Sequence, residues 1–349
     1  MTAGPVQFPF AVPPEPGQVI EVAPGVLWAR LPLPGALDHV NVYALDDGDG
    51  WTVVDTGLAG HRTEGLWEAL LAGPLGGRPV RRVIVTHHHP DHVGLAGWFQ
   101  ARGAGLWMPR TGWLFARMLT LDVQDRPRPE TLAFWRAAGM AADELDRRAG
   151  ERPFNFADAV APMPLGFTRI DEGQVIRAGG RDWVVRFGQG HAPDQATFWS
   201  LSDGLVLGGD QLLPGISPNL GVYATEPGAD PVGDWLASCR AFAALAREDH
   251  LVLPGHQRPF TGLPARLAAL IDEALDALDR LEQALDRPMT AVDCFPTLYR
   301  RTLKPGEVGL ALVEAVANLN HLERTGRAVR HRGTDGVDLW QRVESPRAG

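Results

Sequence analysis

Seven residues in the first third of the chain read Thr86-His87-His88-His89-Pro90-Asp91-His92. Their spacing, H-x-H-x-D-H, combines imidazole nitrogens with a carboxylate, and zinc accepts both as ligands. So short a segment cannot wrap four ligands around one tetrahedral ion, but alternate side chains can serve two adjacent ions. This stretch, the ligand loop (residues 86–92), therefore predicts a metal site. The alternative is a chance cluster on a loop, and the flanking sequence argues against it.

Apolar strands are predicted to lead into this loop and into three later segments. Val83-Ile84-Val85 predicts a buried strand before the ligand loop, and residues 93–99 predict the start of a helix after it. The later segments each combine an apolar run, glycine and one ligand-type side chain: Trp183-Val184-Val185-Arg186-Phe187 before Gly190-His191, Leu205-Val206-Leu207 before Gly208-Gly209-Asp210, and Leu251-Val252-Leu253 before Pro254-Gly255-His256. One histidine after one strand is usually structural. Four such strand ends predict a single site at the carboxyl edge of an α/β sheet.

This ordered series of ligands resembles the metallo-β-lactamase superfamily of dinuclear hydrolases. Val53-Val54-Asp55-Thr56-Gly57 is similar to the family's first motif, and His39-Val40-Asn41-Val42-Tyr43 to its first core strand. The resemblance covers roughly residues 20–262. It implies an α/β fold, a four-layer αββα sandwich, for a catalytic domain at 20–263.

The resemblance also implies how the side chains divide between two metal ions. His87, His89 and His191 would bind the first ion, Asp91, His92 and His256 the second, and Asp210 both. The implied cofactor is two Zn²⁺ per chain, with iron or manganese as alternatives, and Asp55 would support the ligands from outside the shell. Hydroxide held between the ions, beside Asp91 and Asp210, would attack an acyl carbonyl, because two ions can hold the nucleophile and stabilise the developing oxygen charge.

The ligand identities separate some relatives from others. True β-lactamases of the superfamily lack an aspartate at the bridging position, where this chain has Asp210, and flavo-di-iron oxidoreductases carry glutamate in place of His89. The set favours glyoxalase II-like thioesterases, lactonases or esterases. It leaves open a metal-dependent endoribonuclease or phosphodiesterase and a persulfide dioxygenase that binds a single iron.

A segment at about 110–165 does not match the family's core and is predicted to be a helical insertion. Apolar residues recur at helical spacing between 110 and 150, which predicts two or three short helices. If the insertion is a lid over the site, Trp113 and Trp135 would line a pocket for an acyl or apolar substrate. The alternative is that both rings pack the insertion onto the core. Asn219 and Tyr223 lie on a second loop predicted to line the pocket.

The sequence after residue 263 predicts helices followed by a β-hairpin. A leucine stripe at 267–285 indicates one helix, residues 307–325 indicate another, and the turn Gly333-Thr334-Asp335-Gly336 indicates the hairpin. The segment 264–349 thus resembles the winged-helix module that some members of the superfamily carry. Its 12 basic and 13 acidic residues do not suit a duplex-binding wing. The leucine stripe could equally support a homodimer.

Composition limits the remaining classes of function. The chain has 349 residues, 45% of them hydrophobic, and a net charge of −9, which makes nucleic acid an unlikely partner and a small molecule the expected one. No apolar run reaches the ~18 residues of a membrane span. The proline-rich arm at 1–19 lacks the features of a signal peptide, so we expect a cytoplasmic location. Cys239 and Cys294 are expected to be free thiols.

Overall fold

The computed structural model describes residues 5–35 and 37–343. These residues form two compact units. The first unit lies within Met1–Val123, Phe154–Pro218 and Phe242–Leu267, and the second within Gln124–Pro153, Asn219–Ala241 and Ala268–Gly349. The predicted arm (1–19) and C-terminal domain (264–349) each extend outside the described residues, at 1–4 and 344–349, and the domain bounds stay predictions.

Seven strands of the first unit form one mixed sheet, in chain order. They are β1 (Ile20–Ala23), β2 (Val26–Pro32), β3 (His39–Asp46), β4 (Trp51–Val54), β5 (Val80–Ile84), β6 (Gly105–Pro109) and β7 (Thr168–Ile170). Strands β1 to β4 pair antiparallel, and β4 to β7 pair parallel. Both faces of the sheet are covered, because Val53 and Val54 are adjacent in β4 and belong to different buried clusters.

A second sheet of the first unit packs against one of these faces. Its strands, in the spatial order β12-β11-β10-β9-β8, are β8 (Val175–Ala178), β9 (Arg181–Gly188), β10 (Gln195–Ser200), β11 (Leu205–Gly209) and β12 (Leu251–Pro254). Val54 and Ile84 from the first sheet share a buried cluster with Val185, Phe198 and Leu207 from the second. The core of the first unit therefore includes a sheet-on-sheet interface.

Helices of the first unit cover the other face of the seven-stranded sheet. They are α1 (His61–Ala72), α2 (Pro90–Val93), α3 (Ala96–Gln100), α4 (Arg110–Leu121) and a 3-10 turn at Phe156–Asp158. Trp67 of α1, Phe99 of α3 and Ala116 of α4 pack in one cluster with Val53 and Val83. On the outer face of the second sheet, Phe242 of α7 (Pro231–Ala243) stacks on Trp199 at 5.8 Å between ring centroids. The predicted α/β sandwich is confirmed.

The second unit contains most of the remaining elements. They are α5 (Pro129–Ala137), α6 (Ala142–Gly150), most of α7 and of α8 (Leu263–Ala284), α9 (Phe295–Tyr299), α10 (Val308–Arg324), 3-10 turns at Val292–Cys294 and Pro305–Glu307, and the antiparallel pair β13 (Ala328–Arg332) and β14 (Asp338–Arg342). With α4 of the first unit, the insertion has three helices, where two or three were predicted, and the two long C-terminal helices and the hairpin are confirmed. Winged-helix character stays a prediction.

Several smaller predictions can be compared with the structure. Most of the leucine stripe on α8 is buried within the chain, so it stabilises the fold and does not present a surface for subunit association. Cys239 and Cys294 are both buried and are not joined in a disulfide, as expected. The described part of the arm has little regular structure, and Gln7 forms a β-bridge with Thr261. Each helix in the described ranges is too short or too polar to cross a membrane.

Candidate metal centre

The predicted ligands meet at one edge of the two packed sheets of the first unit. The ligand loop follows β5, Asp210 follows β11 and His256 follows β12, and these strands run parallel to a neighbour in their sheets. His191 lies in the turn from β9 to β10. Because parallel strands place their carboxyl ends at the same edge, residues far apart in sequence converge there.

Three overlapping groups of side chains lie close enough to hold a metal ion. The potential ligand atoms within each group are all within 4.8 Å of one another: His87, His89 and His191; His87, His92 and Asp210; and Asp91, His92 and His256. The first and third groups share no residue. The second contains one histidine from each together with Asp210. The structure therefore brings all seven predicted residues together, in two groups with Asp210 between them.

Asp210 lies at the centre of this cluster. Its Oδ1 is 3.4 Å from His92 Nε2, and its Oδ2 is 3.5 Å from His191 Nε2 and 3.2 Å from His256 Nε2. The carboxylate thus turns one oxygen towards the ligand loop and the other towards the two histidines from later in the chain. A carboxylate with its oxygens directed in this way can contact two cations at once.

Asp55 fixes the ligand loop from the end of β4. Its Oδ1 accepts a hydrogen bond from the backbone N–H of Thr86 (2.8 Å), and its Oδ2 accepts one from the Thr86 hydroxyl (2.9 Å). Oδ2 also lies 2.8 Å from His92 Nδ1. This contact orients the His92 ring so that Nε2 faces the centre, which is how outer carboxylates orient metal-binding imidazoles. Asp55 adopts a positive φ of 60°, an unusual backbone conformation for a non-glycine residue.

A second network fixes His256, and sequence reasoning missed most of it. His256 Nδ1 lies 2.8 Å from the backbone carbonyl of His39, and the Asn41 amide donates to the carbonyls of Pro254 (2.8 Å) and Gln257 (2.9 Å). The sequence did contain a signal, because Asn41 is a polar residue within an apolar strand that is covered on both faces. Its partners could not be inferred, since they lie more than 200 positions away.

Gly255 provides the space that Asp210 occupies. A Cβ atom built on Gly255 would lie 2.1 Å from Asp210 Oδ1 and 2.9 Å from His92 Cε1. Both separations are far inside van der Waals contact, so any side chain here would displace the carboxylate or the ring. Glycine, which follows β12 in the sequence, thus permits the close approach of Asp210 at this position.

The electrostatics of the cluster favour positive charge between the carboxylates. Burial lowers the pKa of His87 and His89 well below that of an ordinary histidine, and the surrounding imidazoles lower it further. Burial acts in the same direction on His92, but the carboxylates of Asp210, Asp91 and Asp55 outweigh it and raise its pKa well above the usual value. Burial would raise the pKa of Asp210, yet His256 and His92 hold it well below the usual value.

The residues present fit a bound cation. His92 Nε2 and Asp210 Oδ1 are buried and make no hydrogen bond of acceptable geometry with a described residue. A buried polar atom without a partner costs about 1–3 kcal/mol, and a cation beside these two atoms would remove that cost. Imidazole nitrogen and carboxylate oxygen are donors that zinc, iron and manganese all accept. The cluster is able to bind metal.

The first helix of the insertion lies beside the ligand loop. The His88 ring, between two predicted ligands, packs against Phe115 of α4 (5.2 Å between ring centroids) and Phe156 (6.3 Å), and it belongs to none of the three groups. Trp113 stacks on Phe167 at 4.6 Å and packs against the helix-covered core. Those contacts are structural, and the pocket role of Trp113 stays a prediction.

The other predicted pocket residues belong to the second unit. The Trp135 ring lies 5.3 Å from the Arg148 guanidinium. Asn219 donates a hydrogen bond to the Leu310 carbonyl at 3.3 Å, and Tyr223 is half-exposed. None of these contacts tests a role in binding substrate, so all three assignments stay predictions.

Two family models match the chain. The model of the metallo-beta-lactamase superfamily matches residues 35–285. The model of the metallo-beta-lactamase-like C-terminal domain matches residues 278–343. The first match spans the candidate metal centre, and the second spans α10 and the hairpin.

Two solved structures and one curated protein are similar over most of the chain. A beta-lactamase domain protein from Burkholderia ambifaria is 36% identical, with 97% of this chain and 98% of that chain covered and a TM-score of 0.88. A metallo-beta-lactamase family protein from Thermus thermophilus is 27% identical, with 92% and 100% covered and a TM-score of 0.76. A probable metallo-hydrolase from Bacillus subtilis (strain 168) is 28% identical over 311 residues, which are 85% of this chain and 92% of that protein. The chain therefore belongs to the metallo-beta-lactamase superfamily and is a metal-dependent hydrolase.

Proposed function

We propose that the protein is a dinuclear zinc hydrolase that cleaves an acyl carbonyl bond in a thioester, lactone or ester. One observation carries the proposal: two separate groups of three ligand-type side chains are joined by the single carboxylate of Asp210. A site for one ion would not need both groups. Three carboxylates, Asp55, Asp91 and Asp210, lie in or against the cluster and can offset most of the charge of two divalent ions.

The contacts support an assignment of the ligands to two ions. His87, His89 and His191 would hold one ion, Asp91, His92 and His256 the other, and Asp210 would contact both. When bound, two such ions supply a water with a pKa near 7 and polarise the carbonyl oxygen. Asp55 keeps His92 Nε2 directed at the centre, and the His39 carbonyl does the same for His256.

The carboxylates can also handle the proton that hydrolysis releases. Asp91 Oδ2 lies 3.3 Å from His256 Nε2, and the Asp91 side chain is more exposed than that of Asp210. A proton accepted there could pass to solvent, whereas Asp210 is enclosed between histidines. We therefore assign proton transfer to Asp91 and charge balance to Asp210.

A substrate panel tests the proposal. The full chain, loaded with zinc, is assayed on thioesters, lactones, carboxylic esters and a phosphodiester. Turnover of an acyl substrate that Asp210→Ala abolishes and the exposed control Asp249→Ala retains is the expected result. Turnover confined to the phosphodiester, or oxygen uptake with a persulfide and no hydrolysis, would contradict it in favour of the endoribonuclease-like or dioxygenase alternative.

Four further features belong to the proposal. A small acyl or apolar molecule is the proposed partner, and nucleic acid is not. We propose that the protein is cytoplasmic. We also propose that its C-terminal segment is a winged-helix-like domain. A homodimer, if formed, would need a surface other than the buried leucine stripe of α8.

A further inference from the structure

An apolar face of α4 is left exposed beside the ligand loop. Leu114, Met118 and Leu121 recur at a spacing of three to four residues and are 52%, 45% and 67% exposed. An amphipathic helix normally turns such a face towards the core. Here the helix buries Gly112 and Ala116 instead. The exposed face therefore does not contribute to the packing of the first unit.

The start of this face is tied to the loop that carries His191. The Thr111 hydroxyl, in the first turn of α4, donates a short hydrogen bond to Asp194 Oδ2. Asp194 lies three residues after His191 and adopts a positive φ of 52°, and its carboxylate also accepts a hydrogen bond from Gln189 Nε2 at 2.8 Å. These contacts hold the N-terminus of α4 beside the candidate metal centre.

Aromatic contacts connect the exposed side of the unit with the ligand loop. Phe115 lies one helical turn after Thr111 and packs on His88, between two predicted ligands. Phe156 packs on the same ring. Phe154, which is 65% exposed, has its ring centroid 6.1 Å from that of Phe156. These aromatic side chains, together with the exposed face of α4 that follows Phe115 along the same helix, make up an apolar wall beside the ligand loop.

We infer that this wall binds the aliphatic chain of an acyl substrate whose carbonyl lies at the metal centre, an inference that rests on the proposed function. The face from Thr111 to Leu121 spans about 15 Å at helical rise, enough for a medium or long chain. Arg110 begins this helix face, and Arg117 beside it donates to the Met163 carbonyl and contacts Trp113. Its continuity with the ligand loop favours a substrate chain over a second copy of the protein.

Chain-length dependence tests the inference. The zinc-loaded full chain is assayed on p-nitrophenyl esters of acetate, butyrate, octanoate and dodecanoate, and binding of the matching carboxylates is measured by calorimetry. Each added methylene should raise kcat/KM and tighten carboxylate binding by about two- to fourfold. Met118→Gln should flatten both trends.

Leu201→Gln is the matched control. Leu201 is 62% exposed, as the residues of the α4 face are, but it follows β10 at the end of the strand opposite to His191. This variant should keep the chain-length trend of the parent protein. If Leu201→Gln flattened the trend as Met118→Gln does, the effect would not belong to the α4 face.

The remaining outcomes separate this inference from the proposed function. Hydrolysis of the acetate ester with no gain on longer chains overturns the inference alone. If no ester is hydrolysed but carboxylates bind more tightly as their chain lengthens, the proposed acyl chemistry is wrong. The inference that the wall binds an aliphatic chain is then supported. If Met118→Gln shifts a dimer to a monomer in sedimentation and leaves the chain-length trend unchanged, a second copy covers the face and the inference is wrong.

Discussion

Two histidine–aspartate pairs, one in each unit, differ in what surrounds them. His92 Nδ1 lies 2.8 Å from Asp55, and its Nε2 faces the carboxylates of Asp91 and Asp210 at 3.6 and 3.4 Å. His321 Nδ1 lies 3.0 Å from Asp230, its one ion-pair partner in the part of the chain that the structure describes. Similar pairs thus serve different purposes: the first orients a ring towards concentrated negative charge, and the second holds α10.

The rest of the second unit follows the same rule. Arg332 pairs with Asp338 at 2.6 Å, and Arg301 pairs with Glu307 at 2.7 Å. Opposite charges there neutralise one another, whereas the cluster in the first unit leaves buried polar atoms such as Asp210 Oδ1 without a hydrogen bond. Asn320 Oδ1 in the second unit also lacks a hydrogen bond, so what distinguishes the cluster in the first unit is that two such atoms, His92 Nε2 and Asp210 Oδ1, lie 3.4 Å apart.

Removing Asp210 should have the largest effect. Asp210→Ala deletes the carboxylate that lies between the two groups, and we expect activity to fall by about a thousandfold or more, because charge stabilisation at the reacting centre is lost. Metal content should fall as well. Steady-state assay and metal analysis of the purified variant measure both. A variant that keeps full activity would show that the seven residues do not act as one site.

Filling the space at Gly255 should have the next largest effect. Gly255→Ala pushes Asp210 Oδ1 from its place, and a displacement near 1 Å can cost about a hundredfold in rate. The control is Gly228→Ala in the second unit, where an added Cβ meets nothing within 4 Å. Assays of the two variants side by side should show a loss for the first alone. Equal activities would mean that Asp210 tolerates movement.

Neutralising the aspartate of each pair tests the comparison itself. Asp55→Asn keeps the size of the side chain and removes the charge that faces His92, and such changes typically lower metal affinity or activity about 10- to 100-fold. Asp230→Asn should instead lower the free energy of unfolding by about 1–3 kcal/mol and leave activity unchanged. Metal titration and chemical denaturation of both variants measure these effects. A loss of metal affinity in Asp230→Asn would contradict the distinction.

Breaking a surface ion pair of the second unit should have the smallest effect. Arg327 lies 2.6 Å from Asp279 and 2.5 Å from Glu282. Because ion pairs near the surface contribute little, Arg327→Ala should lower the free energy of unfolding by about 1 kcal/mol or less, with activity unchanged. Denaturant unfolding measures the first quantity. A large change in activity would mean that the second unit acts on the reaction directly.

The elements of the site could be predicted from sequence because their chemistry is local. The strand before the ligand loop, the glycines at the strand ends and the three insertion helices all follow from residue type and spacing, and the structure has them. Asn41 and its contacts with Pro254 and Gln257 could not be predicted, since only the fold brings residues so distant together. The stack of Trp113 on Phe167 likewise depends on tertiary packing.

The same limit applies to α4 and α8. Helical periodicity showed that each carries an apolar face, but it could not say which face is covered. The stripe on α8 is mostly buried, while Leu114, Met118 and Leu121 of α4 are exposed. Sequence patterns therefore predicted the helices, and packing decided their roles.

The metal content of the purified full chain tests the central claim most directly. Native mass spectrometry, combined with elemental analysis, counts the ions bound to each chain and identifies them. The arrangement of two ligand groups joined by Asp210 predicts two zinc ions per chain. A single iron ion per chain would contradict the dinuclear hydrolase and favour thiol oxygenation instead.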